Sequence, residues 1–297
     1  MKRLLRRTVI LFACVSALAI LWATSPQPSA LQANQPQSFT FVVFGDNRPA
    51  QPSFPQPEMF KRILRDIAAL KPPFALNTGD CIYGSSKLTQ VQAQYKGYTD
   101  TIGSILKAKV YLAIGNHEIL GGKANQEFFT KELGAPYYSF DYGGCHFIAL
   151  DTELIGQAGR IKGDQLAWLT KDLEKARAAR FKFVFFHRPM YPVDGHKGKC
   201  LDEFPEDRDA LHNLFVKNRI TAVFAGHEHL FNYQVKNGVK YIITGGSGAS
   251  LYADYRGKGG FYHYVKVAVN EDKLKMTVVR PAYRNKPAAE FPVDKPL

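Results

Sequence analysis

The stretch FTFVVFGD, residues 39–46, is a short apolar run of β-branched and aromatic side chains that ends abruptly at Gly45 and Asp46. Such runs are typical of strands buried inside a sheet. The same unit recurs along the chain, each time closed by Gly, Asp, Asn or His. Its other copies are 74–77 before Thr78-Gly79-Asp80, 110–114 before Gly115-Asn116-His117, 181–186 before His187, 221–225 before Gly226-His227-Glu228-His229, and 241–244 before Gly245-Gly246.

Between several of these runs lie stretches with apolar residues at helical spacing, at 58–70, 164–178 and 207–217. Two further regions indicate paired strands, namely 137–151 with its turn at Gly143-Gly144, and 262–269 with 274–279. Strands that alternate with helices predict a layered α/β fold. Ligands of such folds bind beyond the carboxyl ends of the strands, which is where this chain repeatedly places Asp, Asn and His.

The composition is that of an ordinary globular protein, since 45% of the 297 residues are hydrophobic and 22% are charged. It excludes a collagen, a disulfide scaffold and a multi-span membrane protein. The net charge of +13 favours anionic partners such as phosphates. No dense basic cluster with interleaved aromatic residues occurs, so a dedicated nucleic-acid surface is not indicated.

The N-terminus has the pattern of an export signal. Basic residues at 3–7 precede a charge-free apolar run at 8–23 and a polar, turn-rich segment at 25–30. The run is slightly short for a transmembrane helix, which needs about 20 residues. We therefore expect residues 1–33 to be a signal peptide or an uncleaved N-terminal anchor, and residues 34–297 to form one exported domain, periplasmic or secreted. Membrane contact is expected only through this segment, if it is retained.

Three cysteines follow the N-terminal segment, namely Cys81, Cys145 and Cys200. In an exported chain two of them could pair and leave one over, and the sequence does not determine which. Because no CxxC is present, a cysteine-based zinc site or a thioredoxin-type redox site is not indicated.

The strand ends supply a set of side chains suited to metal ions. Imidazole together with carboxylate suits zinc, iron and manganese, with copper and nickel as rarer options. The set exceeds the needs of one tetrahedral zinc and suits two metal ions that share a carboxylate. His227 and His229 are separated by one residue, so each could serve a different metal. The candidate ligands are Asp46, Asp80, Asn116, His187, His227 and His229.

These motifs, in this order and at these intervals, resemble those of the calcineurin-like metallophosphoesterases. The resemblance covers about residues 39–247. It implies an α/β fold of two mixed β-sheets packed as a sandwich and flanked by helices, with a dinuclear metal site at the C-terminal edge of the strands. Within that superfamily the chain is most similar to the purple acid phosphatase-like branch, where a tyrosine follows the bridging aspartate by three residues, as Tyr83 follows Asp80.

The resemblance implies a role for each position. Asp80 would bridge the two metals, and Tyr83 would bind ferric iron, unless its ring only packs in the loop. His117 would face the leaving group without binding a metal. Iron with zinc, manganese or a second iron is the implied pair. The remaining ligands would be Asp46 and His229 on the first metal, and Asn116, His187 and His227 on the second.

Some positions depart from the common pattern or extend it. Arg48 stands where many members have a histidine, and it would either hold a phosphate oxygen or form a plain salt bridge. His196, nine residues after His187, resembles the second active-site histidine of the purple acid phosphatase branch, the alternative being an exposed loop histidine. Glu118 and Glu228 would each accept an imidazole N–H or remain a solvated carboxylate.

These features predict a dinuclear metal-dependent phosphoesterase, foremost a phosphomonoesterase similar to acid phosphatases. A metal-bound hydroxide would attack phosphorus in line, with His117 assisting the departing alkoxide of a small phosphorylated substrate. Two alternatives stay open. One is a phosphodiesterase or nucleotidase on the same scaffold, and the other is a catalytically inactive, metal-bound interaction protein.

Overall fold

The computed structural model of the chain describes residues 36–193, 195–252 and 259–295. The predicted signal or anchor at 1–33 therefore lies outside the described residues. Within the described part, five α-helices are α1 Glu58–Leu70, α2 Leu88–Ile105, α3 Lys123–Glu132, α4 Gly163–Lys175 and α5 Pro205–Lys217. The strands there are β1 Ser38–Phe44, β2 Phe74–Asn77, β3 Lys109–Leu112, β4 Tyr138–Tyr142, β5 Cys145–Ala149, β6 Lys182–Phe185, β7 Ala222–Ala225, β8 Phe231–Lys236, β9 Val239–Thr244, β10 Tyr264–Asn270, β11 Lys273–Arg280 and β12 Ala289–Pro292.

These strands form two mixed six-stranded sheets. The first has the order β12-β11-β10-β1-β2-β3 and the second the order β4-β5-β6-β7-β9-β8. In the first sheet β1, β2 and β3 are mutually parallel. In the second, β5, β6, β7 and β9 are parallel. The carboxyl ends of the parallel strands in each sheet therefore lie at one common edge.

The alternation of side chains along each strand divides the core into layers. Phe41 and Val43 of β1 point into the cluster between the two sheets. Val42 and Phe44 of the same strand pack instead against the helices on the outer face. Between the sheets, the Phe41 ring meets those of Phe147 and Phe183 edge-on, with centroids 5.1 Å apart in both pairs. Burial on both faces explains why residues 41–44 of β1 form an uninterrupted apolar run.

The helices cover the outer faces of the sheets. In α1 the buried side chains Phe60, Ile63, Leu64 and Ile67 recur at helical spacing and form one stripe against the first sheet. On the second sheet, Leu169 of α4 belongs to the same buried cluster as Phe215 of α5. The predicted sandwich of two mixed sheets flanked by helices is confirmed.

Three cysteines lie in the described part of the chain. Cys81, Cys145 and Cys200 are all buried free thiols, so the disulfide that the sequence left open does not form among them. Over the described residues, none of the helices combines the length and the apolar character that crossing a membrane requires.

Candidate metal centre and active site

The functional side chains follow the carboxyl ends of the parallel strands. Asp46 comes two residues after β1, Asp80 three residues after β2, and His187 two residues after β6. Their potential ligand atoms all lie within 4.8 Å of one another, and all three residues are buried. Two carboxylates and an imidazole buried together form a candidate metal site shared by both sheets.

The backbone at this site adopts conformations that side-chain-bearing residues rarely take. Asp46, Asp80 and His227 have φ values of 54°, 55° and 68°. Such left-handed backbone in non-glycine residues is uncommon and concentrates at functional sites. At Asp46 it is held by neighbouring bonds, because the N–H of Asp46 donates to the Gly79 carbonyl at 3.0 Å. The N–H of His227 donates to both carboxylate oxygens of Asp46, at 3.1 and 2.9 Å.

Gly226 allows this close approach. A Cβ atom placed on it would collide with the Asp46 carboxylate and with the Thr78 hydroxyl. The absence of a side chain at Gly226 therefore lets the chain pass close to the site.

The hydrogen bonds of His187 fix which ring nitrogen faces the site. Its Nδ1 lies 3.0 Å from the carbonyl oxygen of Thr78, which can only accept, so Nδ1 carries the proton. In the neutral ring the lone pair is then on Nε2. That atom lies 3.0 Å from Asn116 Oδ1 and 3.4 Å from Asp80 Oδ1. The carbonyl orients the imidazole as it would a metal ligand.

His229 repeats this arrangement on the side of Asp46. Its Nδ1 lies 2.6 Å from the carbonyl oxygen of Ser250, and its Nε2 lies 3.5 Å from Asp46 Oδ1. The ring of Tyr252 stacks on the His229 ring, with centroids 4.8 Å apart and planes 11° from parallel. Neither Ser250 nor Tyr252 was predicted from the sequence.

The buried Nε2 of His227 lacks a hydrogen-bond partner within the described part of the chain. Its Nδ1 lies 3.0 Å from His187 Nε2. Burial and the surrounding imidazoles hold the pKa of His227 well below its usual range, so the ring is neutral and can act as a ligand. Imidazole nitrogens together with the carboxylates of Asp46 and Asp80 form a donor set that fits divalent and trivalent metal ions.

Asp80 lies at the centre of the cluster. Burial alone would raise its pKa, but His187, His117 and Arg48 around it hold the pKa below its usual value. Arg48 Nε lies 3.6 Å from Asp80 Oδ2 in a side chain that is 20% exposed. The predicted salt bridge of Arg48 is therefore present, and its partial exposure leaves the guanidinium accessible to a ligand.

His117 lies beside this cluster and outside the group of converging ligand atoms. Its backbone N–H donates to Asp80 Oδ1 at 3.0 Å, and its Nε2 lies 3.8 Å from Asp80 Oδ2. Its Nδ1 lies 2.5 Å from the carbonyl oxygen of Tyr83, which directs Nε2 toward the site. The Tyr83 ring lies edge-on to the His117 ring, with centroids 5.8 Å apart, and 5.9 Å from the Arg48 guanidinium. Iron ligation by Tyr83 stays a prediction.

His196 lies at the rim of the same site. Its ring centroid is 4.3 Å from that of His227 and 5.6 Å from that of Tyr252. The side chain is half-buried, so the alternative of an exposed loop histidine is wrong. Its buried Nδ1 has no hydrogen-bond partner in the described ranges.

Glu118 has a function that the sequence did not indicate. This fully buried carboxylate accepts four backbone N–H groups, from Asp80, Cys81, Ile82 and Gly115, so both sequence-based expectations for it are wrong. Burial and the charge of Asp80 raise its pKa to about 7, and the N–H donors oppose that shift. Glu118 thereby ties together the turns that follow β2 and β3.

Two other buried carboxylates also bind nearby groups. Glu228 accepts the backbone N–H of Val193 at 2.8 Å and is buried, so it is not a solvated carboxylate. Glu153, after β5, holds Arg188 through two hydrogen bonds of 2.7 and 3.0 Å. The sequence did not indicate this pair. It fixes the position of Arg188, the residue that follows His187.

Comparison with known proteins agrees with this geometry. A family model described as calcineurin-like phosphoesterase matches residues 39–231. Human tartrate-resistant acid phosphatase type 5 is 28% identical over 265 residues, which cover 77% of this chain and 78% of that protein. A probable inactive purple acid phosphatase 9 of Arabidopsis thaliana is 28% identical over 214 residues, covering 58% of this chain and 32% of that protein.

The fold has a counterpart among solved structures. A purple acid phosphatase isolated from yellow lupin (Lupinus luteus) seeds superposes with a TM-score of 0.67 at 20% identity, over 87% of this chain and 54% of that chain. This chain thus spans about half of the lupin protein and about a third of the Arabidopsis one. Since the family model covers most of the described domain, the chain belongs to the calcineurin-like phosphoesterase family, and it is similar to purple acid phosphatases.

Proposed function

We propose that this chain is a metal-dependent phosphomonoesterase that acts on small phosphate esters. The observation that carries the proposal is the convergence of Asp46, Asp80 and His187 within 4.8 Å in a buried site. His117 lies outside that group, with its Nε2 3.8 Å from Asp80 Oδ2. A proton donor to a bound substrate would occupy such a position. The human relative named an acid phosphatase supports the same reaction.

Two metal ions fit the donor set, and iron paired with zinc, manganese or a second iron is the pair we propose. Bound there, they would supply Lewis-acid activation of water and of the phosphoryl oxygens. Asp80, central to the cluster, would be shared between them. The other proposed ligands are Asp46, His229 and Tyr83 on one ion, and Asn116, His187 and His227 on the other.

The remaining polar groups act on the substrate. Arg48 is partly exposed beside Asp80, and its planar guanidinium would bind a phosphate oxygen. His117, whose Nδ1–H donates to the Tyr83 carbonyl, would donate a proton from Nε2 to the departing alkoxide when its ring is the imidazolium, a form that burial disfavours by lowering the pKa of the ring. His196, at the rim, would contact the ester beyond the phosphoryl group.

A second candidate is a metal-bound protein without catalytic activity, because the Arabidopsis relative is named probable inactive. His117 argues against it. A metal ligand set alone does not need a histidine at that position.

The test measures phosphate release from phenyl phosphate and from diphenyl phosphate by the protein loaded with iron and zinc. We expect two metal ions per chain by elemental analysis and a clear preference for the monoester. Asp80→Asn should lower kcat by about 100-fold or more, since it removes a group central to the metal site.

Asp272→Asn is the matched control, because Asp272 is an exposed aspartate in the β10–β11 turn and should not affect the rate. Hydrolysis of the diester alone would indicate the phosphodiesterase alternative. Stoichiometric metal without hydrolysis of either ester would indicate the inactive alternative.

We also propose that the domain is exported. The support is the sequence of residues 1–33. Fractionation of producing cells and the mass of the mature chain would test both export and cleavage.

A further inference from the structure

A cavity of about 490 Å³ opens beside the proposed active site. Residues 250–252 and 260–262, between β9 and β10, line it together with residues at the end of β11 and in the turn that follows. Its size is within the range of about 300–1,000 Å³ that small-molecule sites occupy. Its lining is Ser250, Leu251, Tyr252, Gly260, Phe261, Tyr262, Arg280, Tyr283, Arg284 and Lys286.

The cavity shares residues with the metal centre. Tyr252 lines it, and the same ring stacks on His229 at 4.8 Å. Ser250 also lines it, and its carbonyl accepts the Nδ1 hydrogen of His229. A substrate whose phosphoryl group lay at the metal centre would therefore have this cavity within reach of its other end.

The lining is cationic. Arg280, Arg284 and Lys286 contribute three positive charges, and no acidic side chain lies among those lining residues that the structure describes. None of the three forms an ion pair with a carboxylate in the described part of the chain. The buried Nε of Arg280 also lacks a hydrogen-bond partner there. Unneutralised cations in a concave site favour an anionic ligand.

The lining is also aromatic. Tyr262 and Tyr283 meet edge-on with ring centroids 5.1 Å apart, and Phe261 and Tyr252 add two further rings. The guanidinium of Arg284 lies 5.1 Å from the centre of the Tyr283 ring. Aromatic walls of this kind bind flat rings through stacking and edge contacts.

We propose that this cavity binds the leaving group of the substrate, and that the leaving group is an aromatic ring carrying a second anionic group. The inference rests on the proposed phosphomonoesterase function. The phosphoryl group occupies the metal centre, the ring lies among the tyrosines, and the second anion faces Arg280, Arg284 and Lys286. Together these contacts select doubly anionic aryl esters over neutral ones.

The experiment compares two esters of equal size, 4-carboxyphenyl phosphate and 4-carbamoylphenyl phosphate, which differ in the charge of the ring substituent. The metal-loaded full chain should favour the carboxylated ester in KM. Arg284→Gln combined with Lys286→Gln, both at exposed positions, should reduce that preference about tenfold, as expected for losing two partly exposed charge contacts.

The matched control removes the same charge elsewhere, by Lys175→Gln with Arg177→Gln, two exposed residues at the end of α4 and just after it. This control should keep the preference. If the intact chain shows no preference, or if both double variants reduce it equally, the cavity does not bind the second anion.

A binding measurement separates this inference from the proposed function. Calorimetry with 4-hydroxybenzoate, the free leaving group, needs no hydrolysis, and its affinity should fall about tenfold in the Arg284/Lys286 variant. Failure to hydrolyse any ester would refute the proposed function alone. Equal affinity of the intact chain and the variant for 4-hydroxybenzoate would refute the proposed cavity function.

Discussion

Glu118→Gln should destabilise the protein although it changes neither the size nor the shape of the side chain. Oε1 of Glu118 accepts the N–H groups of Cys81 and Ile82 at 2.8 and 3.2 Å. Oε2 accepts those of Asp80 and Gly115 at 2.8 and 2.7 Å. A glutamine has one carbonyl oxygen, so either orientation of its amide turns an NH₂ group toward two N–H donors.

The magnitude follows from the number of donors left without an acceptor. Each buried unsatisfied donor costs about 1–3 kcal/mol, so two of them predict a loss of about 2–6 kcal/mol in the free energy of unfolding. That is a large fraction of the stability of a typical domain, about 5–15 kcal/mol. No cavity contributes, because the two side chains are isosteric, and removal of a buried charge whose pKa is raised offsets part of the loss.

Urea unfolding at about pH 8, where the carboxylate is ionised, measures this loss. A chelator in every sample removes the contribution of bound metal. The matched control is Glu174→Gln, since Glu174 is exposed on α4 and should change the stability by less than about 0.5 kcal/mol. A loss below about 1 kcal/mol for Glu118→Gln would refute the reasoning, because a single orphaned donor already costs that much.

Three further predictions follow from the site and from the second sheet. His117→Ala should lower kcat by about 100-fold or more while the metal content stays the same. The loss should be smaller for esters that have good leaving groups. Loss of metal in this variant would contradict the role given to His117. Tyr83→Phe should abolish a visible charge-transfer band of the iron-loaded protein, and an unchanged spectrum would show that Tyr83 only packs. His146 makes hydrogen bonds of 2.6 and 2.9 Å to Asp141 and Asp172, and these outweigh burial and raise its pKa to about 9. Because this pKa lies above the unfolded value of about 6.5, the stabilisation is complete below that pH and is lost as the pH rises through about 9. The difference in unfolding free energy between the intact chain and His146→Asn should therefore shrink over that interval, and a constant difference would contradict the prediction.

The parts of the site that the sequence revealed are those where chemistry directly follows a strand. Asp46 and Asp80 each come after a glycine that ends an apolar run, so the sequence alone indicates their position at the end of a strand. Glu118 was misinterpreted because its partners are backbone N–H groups, which no side-chain pattern marks. The N–H of Asp80, for instance, belongs to a residue 38 positions away.

Among the helices, too, some were predicted from the sequence and others were not. Helix α1 was predicted with its observed bounds, because its buried residues recur at regular helical spacing. Helix α2 was not predicted, although it is the longer of the two. Only Val91, Tyr95 and Tyr98 are buried among its 18 residues, and the rest are mostly polar, so its apolar pattern is too weak to distinguish it from a loop.

The candidate ligands are divided between the two halves of the sandwich. Asp46, Asp80 and Asn116 follow strands of the first sheet, and His187, His227 and His229 follow strands of the second. Ions bound there would crosslink the sheets without a covalent bond. The strength of that link would depend on the surroundings, because a ligand at 100 times its dissociation constant adds about 2.7 kcal/mol to folding stability. The folding stability of this domain would then depend on the concentration of metal ions in its compartment.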